Sequence, residues 1–295
     1  MELSFINWLQ SFNTPMLDQF FINVTLLGEE YFYIFVLGFC YWCVQKDVVR
    51  DFVMILTFSS VLNSALKEIV NSPRPFLVEQ VRALRTETAH GMSFPSGHTQ
   101  TVASFYGALA YKYKRISLWA LAIVVTLLVG LSRVYLGVHW PRDVIGGIAV
   151  AVVSIIIITK MIRVENKKGI SWPFFILLGL VLVSFLFLNS ETYIKSAGAF
   201  LGFMLGSLVE SHYIKFDVRA GKLTQLLKFV IGIVGTLIIF EGLKMILPDI
   251  AFFKGLRYFV TIFFVAAVVP WIYVKLKLSK HRSEEHTSEL QSRHN

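Results

Sequence analysis

The chain is organised around Ser132-Arg133-Val134-Tyr135-Leu136-Gly137-Val138-His139-Trp140-Pro141-Arg142-Asp143, a polar stretch between two apolar runs. Pro141 suits the first position of a new helix, so His139 is predicted just before that helix and Asp143 in its first turn. The helix dipole favours a carboxylate there, and one turn's reach allows Asp143 to accept an N–H of His139. That bond would fix the imidazole tautomer and leave the other nitrogen free as a nucleophile. Taken alone, the stretch is equally typical of an interfacial loop whose charges meet water.

The composition places the chain in a membrane. Of its 295 residues, 55% are hydrophobic and 16% are charged, and the mean hydropathy is +0.63. Soluble domains carry about 25% charged residues. The sequence therefore predicts an all-α fold, a polytopic membrane helix bundle of about nine spans. The apolar runs are residues 31–45, 53–66, 99–111, 116–132, 144–159, 169–190, 196–209, 229–240 and 258–274. Because the first residues lack a basic region, no cleavable signal peptide is predicted.

The basic residues recur at every second loop, which is the positive-inside pattern. They cluster at residues 46–50, 112–115, 160–168, 215–228 and 275–282. These loops are expected on the inner side of a bacterial cytoplasmic membrane, with the N-terminus outside and the C-terminus in the cytoplasm. The net charge of +9 is thus spread along the chain. Without one basic patch, membrane lipids are the predicted partners and nucleic acid is not.

A second motif follows the span that ends near residue 70. Lys67 is followed seven residues later by Arg74-Pro75. Counting spans puts this end outside, where positive-inside bias gives no reason for cations. An anionic ligand is therefore the better explanation, since Arg74 offers a planar fork and Lys67 a point charge.

A third motif, Pro95-Ser96-Gly97-His98, leads directly into the next apolar run. Gly97 permits a close backbone approach, and the amides of Ser96, Gly97 and His98 at a helix start are predicted to form an anion cradle. His98 is then a candidate general acid. For a histidine considered alone, an interfacial residue with satisfied hydrogen bonds is the alternative.

By the span count, all three motifs reach the extracytoplasmic side. Together they resemble the signatures of the type 2 phosphatidic acid phosphatase family. The residues that carry this resemblance are Lys67 with Arg74-Pro75, Pro95-Ser96-Gly97-His98, and Ser132-Arg133 with His139 and Asp143. The resemblance covers about residues 20–165. It implies a six-helix membrane core and a bacterial-type lipid phosphatase that carries a C-terminal multi-span extension.

The resemblance also implies a role for each residue. His139 attacks phosphorus, Asp143 orients His139, and His98 protonates the leaving oxygen. The phosphoryl oxygens would be held by Lys67, Arg74, Ser96, Gly97 and Arg133. No cofactor and no metal ion are implied, since donors around a phosphoryl group stabilise charge mainly in the transition state.

Three regions are predicted. Residues 1–165 form the phosphatase core, and the segment 1–28, broken at Pro15, is an interfacial helix on the outer face that has to supply the sixth core helix. Residues 166–281 form a C-terminal transmembrane extension. Residues 282–295 resemble the in-frame translation of a sequencing adapter and are expected to be a disordered artefact tail. The natural C-terminus is then expected to be missing.

Two pairs of residues near the first span have competing interpretations. Cys40 and Cys43 lack the second ligand pair that a metal site needs, so packing thiols are favoured over a metal or redox site. Glu29 and Glu30 are predicted to form either an interfacial pair or a coupling-ion site, and the interfacial pair is favoured.

The outer loop 76–94, with Arg82, Arg85, Glu87 and His90, is interpreted as a solvated loop, with a lid or rim over the site as the alternative. In the extension, glycines at every fourth position predict a packing seam, namely Gly198, Gly202 and Gly206. Glu241 and Lys244 are spaced to pair across one turn. Together with Glu210, they are interpreted as structural rather than as lining a lipid passage.

An integral membrane phosphatase acting on a lipid phosphate or pyrophosphate from the outer face is the leading hypothesis. Undecaprenyl pyrophosphate, phosphatidic acid and phosphatidylglycerophosphate all fit this hypothesis, because the motifs do not specify the contacts to the lipid headgroup and tail. A transporter or lipid-translocating protein that uses the C-terminal spans is the alternative. A vanadate-dependent haloperoxidase shares the pocket but is typically soluble. The oligomeric state is not predicted.

Overall fold

The computed structural model describes residues 1–78, 80–89, 91–168 and 172–281, and the expected artefact tail lies outside them. Within these ranges the fold is helical and has no sheet, which confirms the predicted class. The helices are α1 (Glu2–Gln10), α2 (Pro15–Thr25), α3 (Glu30–Cys43), α4 (Lys46–Val70), α5 (Gly97–Tyr113), α6 (Ile116–Tyr135), α7 (Pro141–Lys168), α8 (Trp172–Ser184), α9 (Glu191–Val209), α10 (Lys222–Ile246), α11 (Ala251–Phe263) and α12 (Val269–Lys275). Short 3₁₀ turns at Leu26–Gly28, Pro75–Leu77 and Thr86–Thr88, and π turns at Glu210–Ile214 and Phe264–Val268, join or extend them.

Each of the nine predicted apolar runs overlaps a helix of the described chain, and the run 258–274 extends from α11 through a π turn into α12. Six helical segments of the described chain are long and apolar enough to cross a membrane, and a seventh is obtained if α2 and α3, bent by 42° at Leu26–Gly28, count as one span. The six are Lys46–Leu77, Ile116–Tyr135, Pro141–Lys167, Glu191–Ile214, Lys222–Ile246 and Ala251–Lys275. The shorter α5 packs against α4, α6 and α7 at the centre of the bundle, and α8 is a short apolar helix.

The segment before α3 differs from the single interfacial helix expected there. A second helix begins at Pro15, where the sequence predicts only a break. Thr14 caps this helix by accepting the N–H of Leu17 at 3.1 Å. Both short helices pack on α6. In α2, the Phe21 ring lies 4.4 Å from that of Tyr135, centroid to centroid, so the segment covers the C-terminal end of α6.

Buried polar side chains hold α4 against α5. The Asn63 amide donates to Gln100 Oε1 at 2.6 Å, and the Gln100 amide donates to Ser59 Oγ at 2.6 Å. Ser59 Oγ in turn lies 2.9 Å from Ser104 Oγ. Hydrogen bonds of this kind fix the register of packed membrane helices, because the hydrophobic effect does not discriminate between helices there. In this protein they fix the C-terminal end of α4 and the N-terminal end of α5 relative to each other along the bundle.

The extension is joined to the core by polar contacts. The buried ammonium of Lys46 lies 2.5 Å from a carboxylate oxygen of Glu210. Tyr41 and Trp42 of α3 donate, each at 3.1 Å, to carbonyls of the π turn Phe264–Val268. Glu210 is therefore a structural partner of the core, in agreement with the favoured interpretation.

The glycine seam brings α9 and α11 close together. A Cβ on Gly198 would lie 2.3 Å from the Gly255 carbonyl oxygen, and a Cβ on Gly202 would lie 2.4 Å from that of Phe259. The predicted packing seam is thus confirmed. The predicted pair of Glu241 and Lys244 also forms, at 3.6 Å on an exposed face.

Candidate active site

The turn between α6 and α7 places His139. Gly137 has a φ of +72°, which favours glycine, and a Cβ there would lie 2.3 Å from the Arg82 carbonyl oxygen. The amides of Val138 and His139 both donate to the Arg133 carbonyl, at 3.2 and 3.3 Å. The chain therefore closes a tight turn that delivers the imidazole to the start of α7.

Asp143 occupies the first turn of α7, as the sequence predicts. Its Oδ2 accepts the Trp140 N–H at 2.8 Å, which is one half of a capping box. The same oxygen lies 3.2 Å from His139 Nδ1 and accepts the Ser93 hydroxyl at 2.5 Å. Asp143 is fully buried and His139 is only 2% exposed. The carboxylate is thus held by three donors on one oxygen.

The His139–Asp143 contact defines the chemistry of the ring. A carboxylate only accepts, so Nδ1 carries the proton and Nε2 carries the lone pair. Burial, followed by the charges of Arg74, Lys67 and Arg133, holds the pKa of His139 well below its ordinary value. His139 is therefore a neutral, oriented base whose Nε2 can attack an electrophile.

Arg74 lies directly beside that nitrogen. Its Nη1 is 3.2 Å from His139 Nε2 and donates to the Val138 carbonyl at 2.9 Å. Its Nε donates to the Gly91 carbonyl at 2.8 Å, and its Nη2 donates to the Met92 carbonyl at 3.2 Å. The guanidinium is therefore fixed in position by backbone on both sides.

Lys67 approaches the same loop. Its ammonium donates to the Met92 carbonyl at 2.5 Å, the carbonyl that also accepts from Arg74. The two cations of the second motif thus converge beside His139, as expected for an anion site.

Arg133 is fully buried in the last turn of α6. Its Nη1 donates to the Thr25 hydroxyl at 2.9 Å and lies 3.4 Å from the Thr88 hydroxyl. Its Nε is buried with no hydrogen-bond partner among the described residues. The head group is thus oriented by residues of α2 and of the outer loop.

His98 is the second residue of α5, and its Nε2 is buried without a partner among the described residues. It lies close enough to Arg133 for the charge of that guanidinium to act on it. A Cβ on Gly28 would lie only 2.8 Å from the His98 Cβ. The bend between α2 and α3 therefore forms the wall behind His98.

The anion cradle is smaller than expected. The Ser96 amide donates to the Asp143 carbonyl at 2.9 Å, so it is already paired and the prediction for this amide is wrong. The Ser96 hydroxyl lies 2.9 Å from Thr99 Oγ1. Gly97 and His98 begin the helix, where amides have no intrahelical partner. They remain the candidate cradle amides.

The outer loop does not behave as the favoured solvated loop. Ser93, Met92 and Gly91 contact the aspartate and the two cations, and Thr88 contacts Arg133. The loop therefore covers the site, as in the lid alternative. Its His90 lies outside the described residues.

Several of these contacts were missed by sequence reasoning. Ser93, Thr25 and Thr88 belong to no periodic pattern or motif. The sequence also gives no indication that Glu29, predicted at the interface with Glu30, forms an ion pair with Arg85 at 2.7 Å. A polar residue two positions before the Pro95 motif was the only available hint of Ser93.

Two family models match parts of the chain. Residues 49–167 match the PAP2 superfamily model, and residues 194–281 match the model described as PAP2 superfamily phosphatase, transmembrane extension.

Phosphatidylglycerophosphatase B of Bacillus subtilis is 33% identical over 148 residues, which are 45% of this chain and 69% of that protein. Lipid phosphate phosphatase delta of Arabidopsis thaliana is 27% identical over 49% of this chain, and a probable sphingosine-1-phosphate phosphatase of Dictyostelium discoideum is 30% identical over 55%. The matches span only 38% and 43% of those two proteins. The crystal structure of Aquifex aeolicus LpxE shares 29% identity, with a TM-score of 0.49 over 54% of this chain and 94% of that one.

Proposed function

Because this chain belongs to the PAP2 superfamily, we propose that it is a metal-independent membrane phosphatase that hydrolyses a lipid phosphate or diphosphate through a phosphohistidine intermediate. The observation that carries the proposal is the pairing of His139 Nδ1 with the buried Asp143 carboxylate. This pairing leaves the Nε2 lone pair directed at the position where Arg74 places its guanidinium.

In the first step, His139 Nε2 forms a bond to phosphorus and the bond from phosphorus to the lipid oxygen breaks. The leaving oxygen takes a proton from His98, and the lipid alcohol or lipid phosphate departs. In the second step, a water oxygen attacks the phosphohistidine and His98 accepts its proton. The P–N bond breaks, and inorganic phosphate leaves with His139 restored as a neutral base.

The negative charge of the transferred group is stabilised by Lys67, Arg74 and Arg133. The Ser96 hydroxyl and the Gly97 amide add hydrogen bonds. Burial strengthens these interactions because the local dielectric is low, and the fixed guanidinium of Arg74 needs no reorganisation during the reaction.

The active site is proposed to face the extracytoplasmic side. His139, His98 and Arg74 lie at the helix ends opposite to those that carry the basic clusters beginning at Lys46 and at Lys112. The positive-inside pattern assigns those clusters to the cytoplasm.

The experiment is a rapid-quench assay of purified protein with a ³²P-labelled lipid phosphate. We expect a labelled intermediate that is stable in alkali and labile in acid, mapping to His139 and absent from His139→Ala. His98→Ala should lose more activity on alkyl phosphates than on aryl phosphates, which need less protonation. Turnover by His139→Ala at a near-normal rate would reject the mechanism, and failure to release phosphate from any lipid phosphate would reject the function.

A further inference from the structure

Three arginines at the outer rim of the site are each paired with an acid from residues 1–30. Arg82 bonds the Asp18 carboxylate, with one contact at 3.0 Å. Arg85 pairs with Glu29 at 2.7 Å, and Arg142 pairs with Glu2 at 3.1 Å. The N-terminal segment thus neutralises the rim, whereas Lys67, Arg74 and Arg133 lie deeper.

The pair of Glu29 and Arg85 lies beside His98. Glu29 directly follows Gly28, which packs so near to His98 that an added Cβ on Gly28 would lie 2.8 Å from the His98 Cβ. Arg85 also contacts Glu87 at 3.2 Å. Arg85, Glu29 and Glu87 are among the charges that act most on Arg133, and Arg85 also acts on His98. Two carboxylates therefore share the guanidinium of Arg85, whose charge acts on His98.

This side of the site receives the leaving group. A phosphate monoester loses an alkoxide, which becomes a neutral alcohol once His98 has donated its proton. A diphosphate instead loses a phosphorylated lipid, whose anionic oxygens would be placed next to the Glu29 and Glu87 carboxylates. Like charges at short range repel, and most strongly in a partly buried site.

A second phosphate would have to share the Arg85 guanidinium with two carboxylates, because its Nη2 donates to Glu29 and its Nε donates to Glu87. The Arg85 and Glu29 side chains are about one-fifth exposed, at 21% and 22%. Breaking their contact would leave the Glu29 carboxylate unpaired and facing the anion, which is costly for a partly buried charge. The ion pair therefore opposes diphosphate binding even though it contains a cation.

We infer that this enzyme prefers lipid phosphate monoesters to diphosphates of the same lipid, and that the Glu29–Arg85 pair beside His98 sets this preference. The inference rests on the proposed function. It runs against intrinsic reactivity, because a lipid phosphate is a better leaving group than an alkoxide. A preference for monoesters would thus have to come from the protein.

The test compares kcat/KM for farnesyl phosphate and farnesyl diphosphate with the full-length protein in detergent. The wild-type protein should prefer the monoester by about tenfold or more. Glu29→Gln frees Arg85 and removes one carboxylate, so the ratio of diphosphate to monoester kcat/KM should rise about tenfold. Adding Arg85→Gln to Glu29→Gln should abolish that rise.

Asp18→Asn is the matched control, because it frees Arg82, a rim arginine of the same loop. This variant should leave the ratio unchanged. If Glu29→Gln does not fold, Glu87→Gln gives a smaller rise in the same direction, since the Glu87 side chain is 68% exposed.

An equal or better wild-type rate on the diphosphate would overturn the inference and leave the proposed function intact. So would a ratio that does not change in folded Glu29→Gln. Absence of phosphate release from both lipids would reject the proposed function and the inference with it.

Discussion

His139 Nδ1 lies 3.2 Å from Asp143 Oδ2, and the two residues are only four positions apart across the start of α7. The imidazole is therefore oriented by the same helix turn that the carboxylate caps. In Asp143→Asn, an amide N–H can face Nδ1, which favours the tautomer whose Nε2 carries the proton. We expect kcat to fall about 10²–10⁴-fold, with the melting temperature close to that of the wild type.

Ser93→Ala provides the comparison for this prediction, because it removes one of the three donors to Asp143 Oδ2 and leaves the tautomer unchanged. It should cost far less activity than Asp143→Asn. Equal losses in the two variants would mean that Asp143 acts only as a hydrogen-bonded anchor of the loop.

The lowered pKa of His139 predicts that its imidazole is neutral. A histidine with the ordinary pKa of 6.5 is half protonated at pH 6.5. Since burial and the nearby cations lower the pKa of His139, it should remain neutral at that pH and gain its proton only in more acidic solution. Its imidazole resonances in histidine-labelled protein, assigned by their loss in His139→Ala, should show the neutral form at pH 6.5. Resonances of the protonated form would contradict the electrostatic environment described here.

The bond from Arg133 to the Thr25 hydroxyl predicts a positioning role for a residue outside the matched family region. Thr25→Val keeps the shape and removes the acceptor, at a cost of about 1 kcal/mol or more. The inhibition constant of orthovanadate should therefore rise about fivefold. Thr25→Ser retains the hydroxyl and should restore wild-type inhibition. An unchanged constant in Thr25→Val would show that the other contacts alone orient Arg133.

The proposed sidedness can be tested by cysteine labelling in a variant without Cys40 and Cys43. A cysteine at the exposed position of Gln80 should react with an impermeant maleimide in intact cells. A cysteine at Lys114 should react only after permeabilisation. The reverse pattern would invert the proposed orientation.

Metal independence can be tested with a chelator. In the described part of the chain, no group of three His, Cys, Asp or Glu residues converges to hold a metal ion, and cations already surround the proposed phosphoryl site. Excess EDTA should leave most of the turnover intact. Complete loss in EDTA that is reversed by Mg²⁺ would require a different mechanism.

The parts of the site that were predictable from sequence are those governed by local rules. Pro141 marks a helix start, so the relation between His139 and Asp143 follows from spacing. The partners that fix these groups come from far along the chain. Ser93 is 50 residues from Asp143, and Thr25 is 108 residues from Arg133. No periodicity links such positions, because they meet only when the N-terminal helices and the outer loop fold over α6.

For the Ser96 amide, a local rule gave a wrong prediction. A helix start predicts free amides, but the close approach of α5 and α7 gives this one a tertiary acceptor, the Asp143 carbonyl. Local capping rules do not include partners supplied by another helix.

The ion pair between Lys46 and Glu210 has a consequence for biosynthesis. Lys46 begins α4, yet its partner is translated 164 residues later. Until α9 has been inserted, the Lys46 ammonium has to remain in the lipid headgroup layer, where water solvates it. The helices of the candidate site are made first, but the end of the bundle that holds Lys46 is completed only when the extension has been inserted. A nascent chain arrested before α9 therefore carries an unpaired Lys46 ammonium on a surface that is buried in the finished protein.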